Sequence, residues 1–296
     1  MAPIEMLISQ QPQPSILVGL IGTGIQASRS PLLHEQEASA LGLRYCYHLI
    51  DLAPLGVGAE ALPNLFDAAQ LLGFAGVNIT HPCKQAVLPL LDELSDEAAA
   101  IGAVNTVVFT NHKRIGHNTD YWGFAESFRR GLADVPRRRV VLLGAGGAGA
   151  AVAFAALKLG VERLAIHDVD NAHATCLAEK LARKFGVGRA VAVNHLADEI
   201  ALADGLIQAT PMGMLSHPGL PLPTNLLRTE LWIAEIVYFP LETEFLKAAR
   251  KLGCRTLDGG GMAVFQAVEA FRLFTGKSPD HERMLRHFAT MTQGGE

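Results

Sequence analysis

Only four cysteines occur in 296 residues (Cys46, Cys83, Cys176 and Cys254), and no two of them form a C-x-x-C pair. That scarcity excludes a disulfide framework and a zinc-ligand spacing, and it fits a reducing, cytoplasmic compartment. A basic excess is also missing: 25 Lys and Arg stand against 29 Asp and Glu, a net charge of −4. Nucleic-acid and anionic-membrane surfaces need the opposite balance, so neither is expected as a partner. A membrane span needs about 20 apolar residues. The most apolar stretch, residues 140–157, is broken by Gly and Ala and stops at Lys158. No Lys or Arg precedes Arg29, so the charged start of a signal peptide is lacking. Internal repeats and low-complexity segments are not detected. What remains is apolar content of 49% against 18% charged, enough for full-sized cores, in a length that fits two domains.

Short apolar runs alternate with helical stretches along the chain. Residues 1–14 read as a loose leader, residues 15–21 as a buried strand ending in a Gly turn, and a helix is expected from Pro31 with Ser30 as its cap. Strands are expected at 45–50, 76–80 and 105–109, with helices at 62–72, 86–91 and 96–101. After the Arg137-Arg138-Arg139 run, strands are expected at 140–143, 164–167, 190–193, 205–208 and 233–237, with helices at 150–159, 244–252 and 264–274. This alternation predicts an α/β chain with a largely parallel sheet in each unit.

The second unit opens on Gly144-Ala145-Gly146-Gly147-Ala148-Gly149, between a strand and a helix, with Asp168 at the end of the next strand. In that context the glycines permit a tight turn, close approach of a pyrophosphate and close helix packing, while the helix N-terminus receives the phosphates. Asp168 is placed to accept the ribose hydroxyls and to repel a 2′-phosphate, and Val169 follows where an Arg would favour NADP. NAD is therefore expected over NADP. The first unit carries polar residues where its strands end: Ser28 and Ser30, Asn78 and Thr80, Lys84, Asn105, and Asn118 with Asp120. Ligands of open α/β sheets bind at the carboxyl ends of strands, and this set suits a small polyhydroxylated carboxylate.

Taken in order, several motifs give the chain a resemblance to the shikimate dehydrogenase family, including its quinate/shikimate relatives. They are Ser28-Arg29-Ser30-Pro31, Asn78-Ile79-Thr80-His81-Pro82-Cys83-Lys84, Ala103-Val104-Asn105-Thr106, Asn118-Thr119-Asp120, Ala209-Thr210-Pro211-Met212-Gly213-Met214, Tyr238-Phe239-Pro240 and Gly260-Gly261-Met262-Ala263-Val264-Phe265-Gln266. The resemblance implies a two-domain fold: a substrate domain of residues 1–122 plus 259–296, whose C-terminal helices return to it, and a Rossmann-type nucleotide domain of residues 123–258. It implies Lys84 and Asp120 as the catalytic pair and Ser28 and Ser30 as holders of the substrate carboxylate. Thr80, Asn105, Asp120 and Gln266 would hold ring hydroxyls, with Tyr238 either donating to the substrate or packing. Thr210, Met212, Gly213 and Gly261 would line the nicotinamide side. The implied reaction is reversible hydride transfer between the C3 hydroxyl of shikimate or quinate and NAD. Lys84 either exchanges the hydroxyl proton or stabilises the alkoxide as a cation.

Departures from the family pattern are Ala27 in place of His, Gln208 in place of Asn, the Ala263-Val264 pair, and Val169 in place of a basic residue. The last of these points to the NAD-linked branch. Two other readings remain open at this point: the same fold acting on another cyclic acid such as aminoshikimate, and a catalytically silent NAD-binding sensor. Asp120 could also cap the helix that begins near Tyr121. Asn78 and Asn105 could serve only to shape loops, Cys83 reads as a packing residue, and His34, His81 and His117 read as structural or as substrate-rim groups. No metal is expected, and the chain is expected to act as a monomer or homodimer.

Overall fold

Twelve strands form two six-stranded sheets in a computed structural model that describes residues 15–293. The leader expected over residues 1–14 lies outside the described residues. The first sheet contains β1 (Ile16–Gly22), β2 (Tyr45–Asp51), β3 (Phe74–Ile79), β4 (Glu93–Leu94), β5 (Thr106–Thr110) and β6 (Lys113–His117), in the order β2-β1-β3-β5-β6-β4. Its helices are α1 (Ser30–Ala40), α2 (Leu52–Leu55), α3 (Leu62–Leu71), α4 (Cys83–Ala86) and α5 (Asp96–Ile101). Helix α6 (Asp120–Gly131) leads to the second sheet. That sheet holds β7 (Arg139–Leu143), β8 (Arg163–His167), β9 (Ala190–Ala192), β10 (Gly205–Gln208), β11 (Trp232–Glu235) and β12 (Arg255–Leu257). Its order is β12-β11-β10-β7-β8-β9, and every pairing is parallel. Helices α7 (Gly147–Lys158), α8 (Asn171–Phe185), α9 (Leu196–Leu202) and α10 (Glu244–Lys251) connect these strands, and α11 (Gly260–Thr275) and α12 (His281–Gln293) close the chain.

The apolar runs become strands buried on both faces, as a parallel sheet between helix layers requires. Val140 and Leu142 of β7 enter one core with α6 and α7, whereas Val141 and Leu143 enter another with α10. Val18 and Leu20 of β1 face α11, and Ile21 faces the α3 side. The first sheet departs from the expected parallel arrangement, because β5 runs antiparallel to both β3 and β6. The two-residue connection Asn111-His112 has positive φ at both positions (49° and 60°), the conformation of a primed hairpin turn. In place of the helix expected over 86–91, α4 ends at Ala86 and a 3₁₀ turn follows at Leu88–Leu90. Pro89, with no N–H to donate, lies inside that turn.

Helix α6 runs unbroken across residues 122 and 123, where a domain boundary was expected, and carries Phe124, Ala125 and Phe128 into the core of the second sheet. On its other side it meets α11 at very short range. A Cβ on Gly123 would fall 2.7 Å from the Met262 carbonyl oxygen, and one on Gly261 would fall 2.2 Å from Ser127 Oγ. The C-terminal helices return to the first sheet. Ala270 and Phe274 pack on Val18, Leu20 and Tyr47, and the fully buried Glu37 of α1 accepts two bonds from Arg283 of α12 and one from the Asp280 N–H.

Candidate active site

Lys84 leaves the short helix α4 just beyond the carboxyl end of β3, and its Nζ lies 2.5 Å from Asp120 Oδ2 at the start of α6. Side-chain exposures of 19% and 9% make this a largely desolvated ion pair, in which electrostatic interactions are stronger than in water. The second Asp120 oxygen accepts from Asn105 Nδ2 at 2.9 Å. Asn105 is fixed in turn: its Oδ1 accepts the Thr119 N–H at 2.7 Å and the Thr106 hydroxyl at 3.1 Å, and its amide also donates to Thr119 Oγ1 at 2.9 Å. Asn78 continues the chain of contacts, donating to Thr106 Oγ1 and the Asn105 carbonyl and accepting from Tyr47 at 2.7 Å. Burial pushes the Tyr47 phenol well above its ordinary pKa, so it stays a neutral donor. Ser28 Oγ accepts the Ser30 N–H at 3.3 Å.

Several residues therefore play roles other than those expected. Ser30 is the first residue of α1 and does not cap it; Arg29 stands at the cap position with no side-chain bond. Asp120 is no cap either, because both its oxygens are turned to Lys84 and Asn105 while Asn118 Oδ1 accepts the Tyr121 N–H at 3.3 Å. Asn105 uses both amide protons inside the protein, so its clearest task is to aim Asp120. Thr80 sits where β3 ends, beside Gly22 at the end of β1, and Gln266 lies on α11 facing Gly123 with its amide on the Ala263 carbonyl at 2.9 Å. Tyr238 approaches from the loop after β11. Nearly half its surface is open, yet its phenol is desolvated at the cleft and feels Asp120, and both effects raise its pKa. Cys83 is fully buried in the first-sheet core, as a packing residue would be. His34 is enclosed by Tyr47, Phe271 and Phe274, and burial lowers its pKa to about 3, so it is a neutral core group.

The glycine-rich turn lies next to this pair. Gly147, the first residue of α7, approaches Lys84 closely enough that a Cβ there would stand 3.5 Å from Lys84 Cδ. Gly144 has φ +95°, and a Cβ on Gly149 would fall 2.1 Å from the Gly144 carbonyl oxygen, so only glycine lets α7 pack this close to the turn. A Cβ on Gly146 would meet nothing within 4 Å, which leaves open space above the turn. The first N–H groups of α7 have no acceptor within the helix, and no side chain caps them, as an anion site requires. Asp168 directly follows β8, with one oxygen accepting the Ala145 N–H at 2.7 Å and the other accepting the Asp170 N–H at 2.9 Å. The side chain of Val169 beside it is fully exposed.

The loop after β10 is held from below by Gln208, which is completely buried. Its amide donates to Thr210 Oγ1 at 2.8 Å and to the Met212 carbonyl at 3.0 Å, and its Oε1 accepts the Thr210 N–H at 3.0 Å. Gly213 in this loop has φ +97°. Gly261 lies against Ser127, where a Cβ would fall 2.2 Å from the hydroxyl oxygen. Sequence reasoning passed over Tyr47, Thr106, Thr119 and Glu235. Glu235 had a signal: it is the one polar residue in the run Trp232-Ile233-Ala234-Glu235, at a strand end. Burial pushes its carboxyl up to about 7, against a hydrogen bond from Thr243 and with help from Asp258. Among the described residues no cluster of His, Cys, Asp and Glu could hold a metal ion, and no helix is long and apolar enough to cross a membrane.

Residues 20–107 match the family model described as the shikimate dehydrogenase substrate binding domain, and residues 259–287 match the shikimate 5'-dehydrogenase C-terminal domain. The chain is 59% identical over 281 residues to a shikimate dehydrogenase (NADP(+)) of Streptomyces avermitilis, covering 94% of this chain and 97% of that protein. It is 49% identical over 280 residues to a quinate/shikimate dehydrogenase (NAD(+)) of Corynebacterium efficiens, covering 94% and 99%. The solved structure of quinate dehydrogenase from Corynebacterium glutamicum in complex with NAD superposes with a TM-score of 0.88 at 49% identity, over 93% of this chain and 99% of that one.

Proposed function

The chain belongs to the shikimate dehydrogenase family, and from that premise we propose that it oxidises the C3 ring hydroxyl of shikimate, or the corresponding hydroxyl of quinate, reversibly and with NAD. It is an oxidoreductase with a Rossmann-type nucleotide half. One observation carries the reading: the Lys84–Asp120 pair, 2.5 Å apart, lies against the first turn of the helix that follows the dinucleotide turn. A proton-handling pair and a hydride acceptor belong together in the oxidation of a secondary alcohol.

The residues present fit the cofactor. Gly146 leaves a cradle that a Cβ would fill, α7 offers its N-terminus to a pyrophosphate, and Asp168 presents a carboxylate at the end of β8. The nicotinamide, when bound, accepts the hydride. In this proposal Lys84 takes or steadies the hydroxyl proton, Asp120 holds Lys84 in place, and Asn105 holds Asp120. Ser28 and Ser30 orient the substrate carboxylate, with Thr80, Gln266 and Tyr238 toward the ring hydroxyls. The first sheet with α11 and α12 serves the substrate, the second sheet serves the cofactor, and one chain supplies every group, so a monomer suffices. The four unpaired thiols suit a reducing cytoplasm.

NAD is preferred in this reading because Asp168 would face a 2′-phosphate and the adjacent Val169 supplies no cation. The NADP linkage of the Streptomyces relative favours the opposite choice. Steady-state kinetics with shikimate or quinate, each paired with NAD or NADP, decides between them. Turnover of either acid with kcat/KM at least about tenfold higher for NAD supports the proposal. Turnover confined to NADP overturns the cofactor assignment, and no turnover in any pairing overturns the substrate assignment.

A further inference from the structure

Glu235 closes β11 with 2% of its surface exposed. Its Oε2 accepts from the Thr243 hydroxyl at 2.5 Å, and that hydroxyl also accepts the Leu246 N–H at 3.1 Å as the N-cap of α10. Its Oε1 is buried and has no partner. This atom points at the loop after β10: a Cβ on Gly213 would fall 3.4 Å from it and 3.2 Å from Thr243 Cγ2. From β10, Gln208 stands at the same register and is neutral; from α10 comes the Thr243 hydroxyl; from the end of β12 comes Asp258, which lies 4.0 Å from Arg250 Nη2 and accepts the Gly260 N–H. Among the described residues no cation pairs with Glu235. A buried oxygen with no donor is costly when ionised, and this carboxyl titrates close to neutrality for that reason.

The sheet order places this group functionally. In a doubly wound sheet with strand order β12-β11-β10-β7-β8-β9, each half receives one mononucleotide across the point where the order reverses, here between β7 and β10. Asp168 assigns the adenosine to the β8 side, so the β10–β11 side receives the nicotinamide. The oxidised ring carries a positive charge and the reduced ring does not. Resting on the NAD reading above, we infer that Glu235 is a positioning residue beneath the nicotinamide loop whose ionisation favours the oxidised cofactor over the reduced one, making that choice depend on pH. Ionised, it places an unpaired negative charge under Gly213; protonated, it is neutral and the preference disappears.

Direct binding titrations test this without turnover. NADH binding is followed by its fluorescence and NAD binding by competition, on the full chain, from about pH 6 to about pH 8.5. The ratio of the NADH Kd to the NAD Kd is expected to rise about three- to tenfold across that range in the wild type, the size of a single charge acting through a screened interior. In Glu235→Gln the ratio should stay flat. In Thr243→Val, which removes the hydrogen bond that steadies the ionised form, the midpoint should move to higher pH. A flat ratio in the wild type overturns the inference, as does a Glu235→Gln ratio that follows the wild type. If the Gln variant does not fold, an unmoved midpoint in Thr243→Val overturns it. Cofactor binding with pH-independent discrimination defeats this inference alone, whereas absence of any binding defeats the NAD reading as well.

Discussion

Replacing Lys84 by methionine keeps most of the side-chain stem and removes only the charge and the protons. If Lys84 handles the hydroxyl proton, kcat should fall by about 10²- to 10⁴-fold, the range for a positioned acid–base group, equivalent to about 3–5 kcal/mol of lost transition-state stabilisation. The KM for shikimate should change by less than about fivefold, because Ser28 and Ser30, proposed to hold the substrate carboxylate, are untouched. The fold should survive. Asp120 keeps its bond from Asn105 Nδ2 at 2.9 Å, so one carboxylate oxygen of a 9% exposed side chain loses its partner. That costs about 1–2 kcal/mol, or about 2–8 °C in Tm for a chain of this size. Initial rates at saturating NAD, with a thermal melt of the same preparation, make the comparison. Lys84→Arg keeps a cation beside Asp120 but cannot release a proton at working pH, so partial recovery would assign an electrostatic role and continued loss a proton-transfer role. A Lys84→Met enzyme within threefold of wild-type kcat would refute the assignment of Lys84.

Asp168→Ala should raise the KM for NAD by about tenfold and narrow the gap to NADP, since it removes both the proposed ribose acceptor and the bond to the Ala145 N–H at 2.7 Å; unchanged KM for both cofactors would show that Asp168 only shapes the turn. Arg283→Ala strips two bonds from the fully buried Glu37, which keeps only the Asp280 N–H, and should cost about 3–5 kcal/mol in urea unfolding; a loss under about 1 kcal/mol would mean that α12 is held by its apolar face alone. Glu235 titrates at about 7 in the folded chain against 4.5 for the ordinary group. A carboxyl whose folded pKa is raised keeps its proton longer in the native state, so its contribution is greatest below pH 4.5 and is lost as pH rises to about 7. Glu235→Gln should therefore gain stability relative to the wild type between about pH 5 and about pH 8, by at most about 3 kcal/mol. Equal pH dependence of the two proteins in chemical unfolding would contradict it.

What could be read from the sequence followed the strength of the local signal. Five strands of the second sheet were legible because each carries an apolar run bounded by a turn, and because Gly144 to Gly149 stand between a strand and a helix, whereas the edge strand β12, Arg255-Thr256-Leu257, is too short and too polar to show. The β5–β6 hairpin was not. Its turn is Asn111-His112 rather than Asn-Gly, and the strand Lys113-Arg114-Ile115-Gly116-His117 carries too few apolar residues to show a face. Helix α6, which spans the expected boundary after residue 122, was not legible as a shared element for a related reason. Gly123 and Ser127 of α6 accept α11 at backbone range while Phe124 and Phe128 face the other sheet, so a single helix serves both halves and no composition shift marks it.

The site shows a deeper limit of sequence reading. Polar residues at strand ends stand out in the sequence, but the sequence cannot tell those that hold from those that act. The hydrogen bonds make the distinction. Asn78 turns all its amide atoms inward, to Tyr47, Thr106 and the Asn105 carbonyl, and Gln208 does the same toward Thr210 and Met212. Asn105 is nearly saturated and its one outward task is Asp120. Lys84, by contrast, has one acceptor for three protons, and Glu235 has one oxygen without a donor. Unfilled hydrogen-bonding capacity on a desolvated, ionisable group is what separates these two from the amides beside them. In the roles proposed for them, Lys84 acts on the substrate and Glu235 acts beneath the loop after β10, each through hydrogen-bonding capacity that the scaffold leaves unfilled.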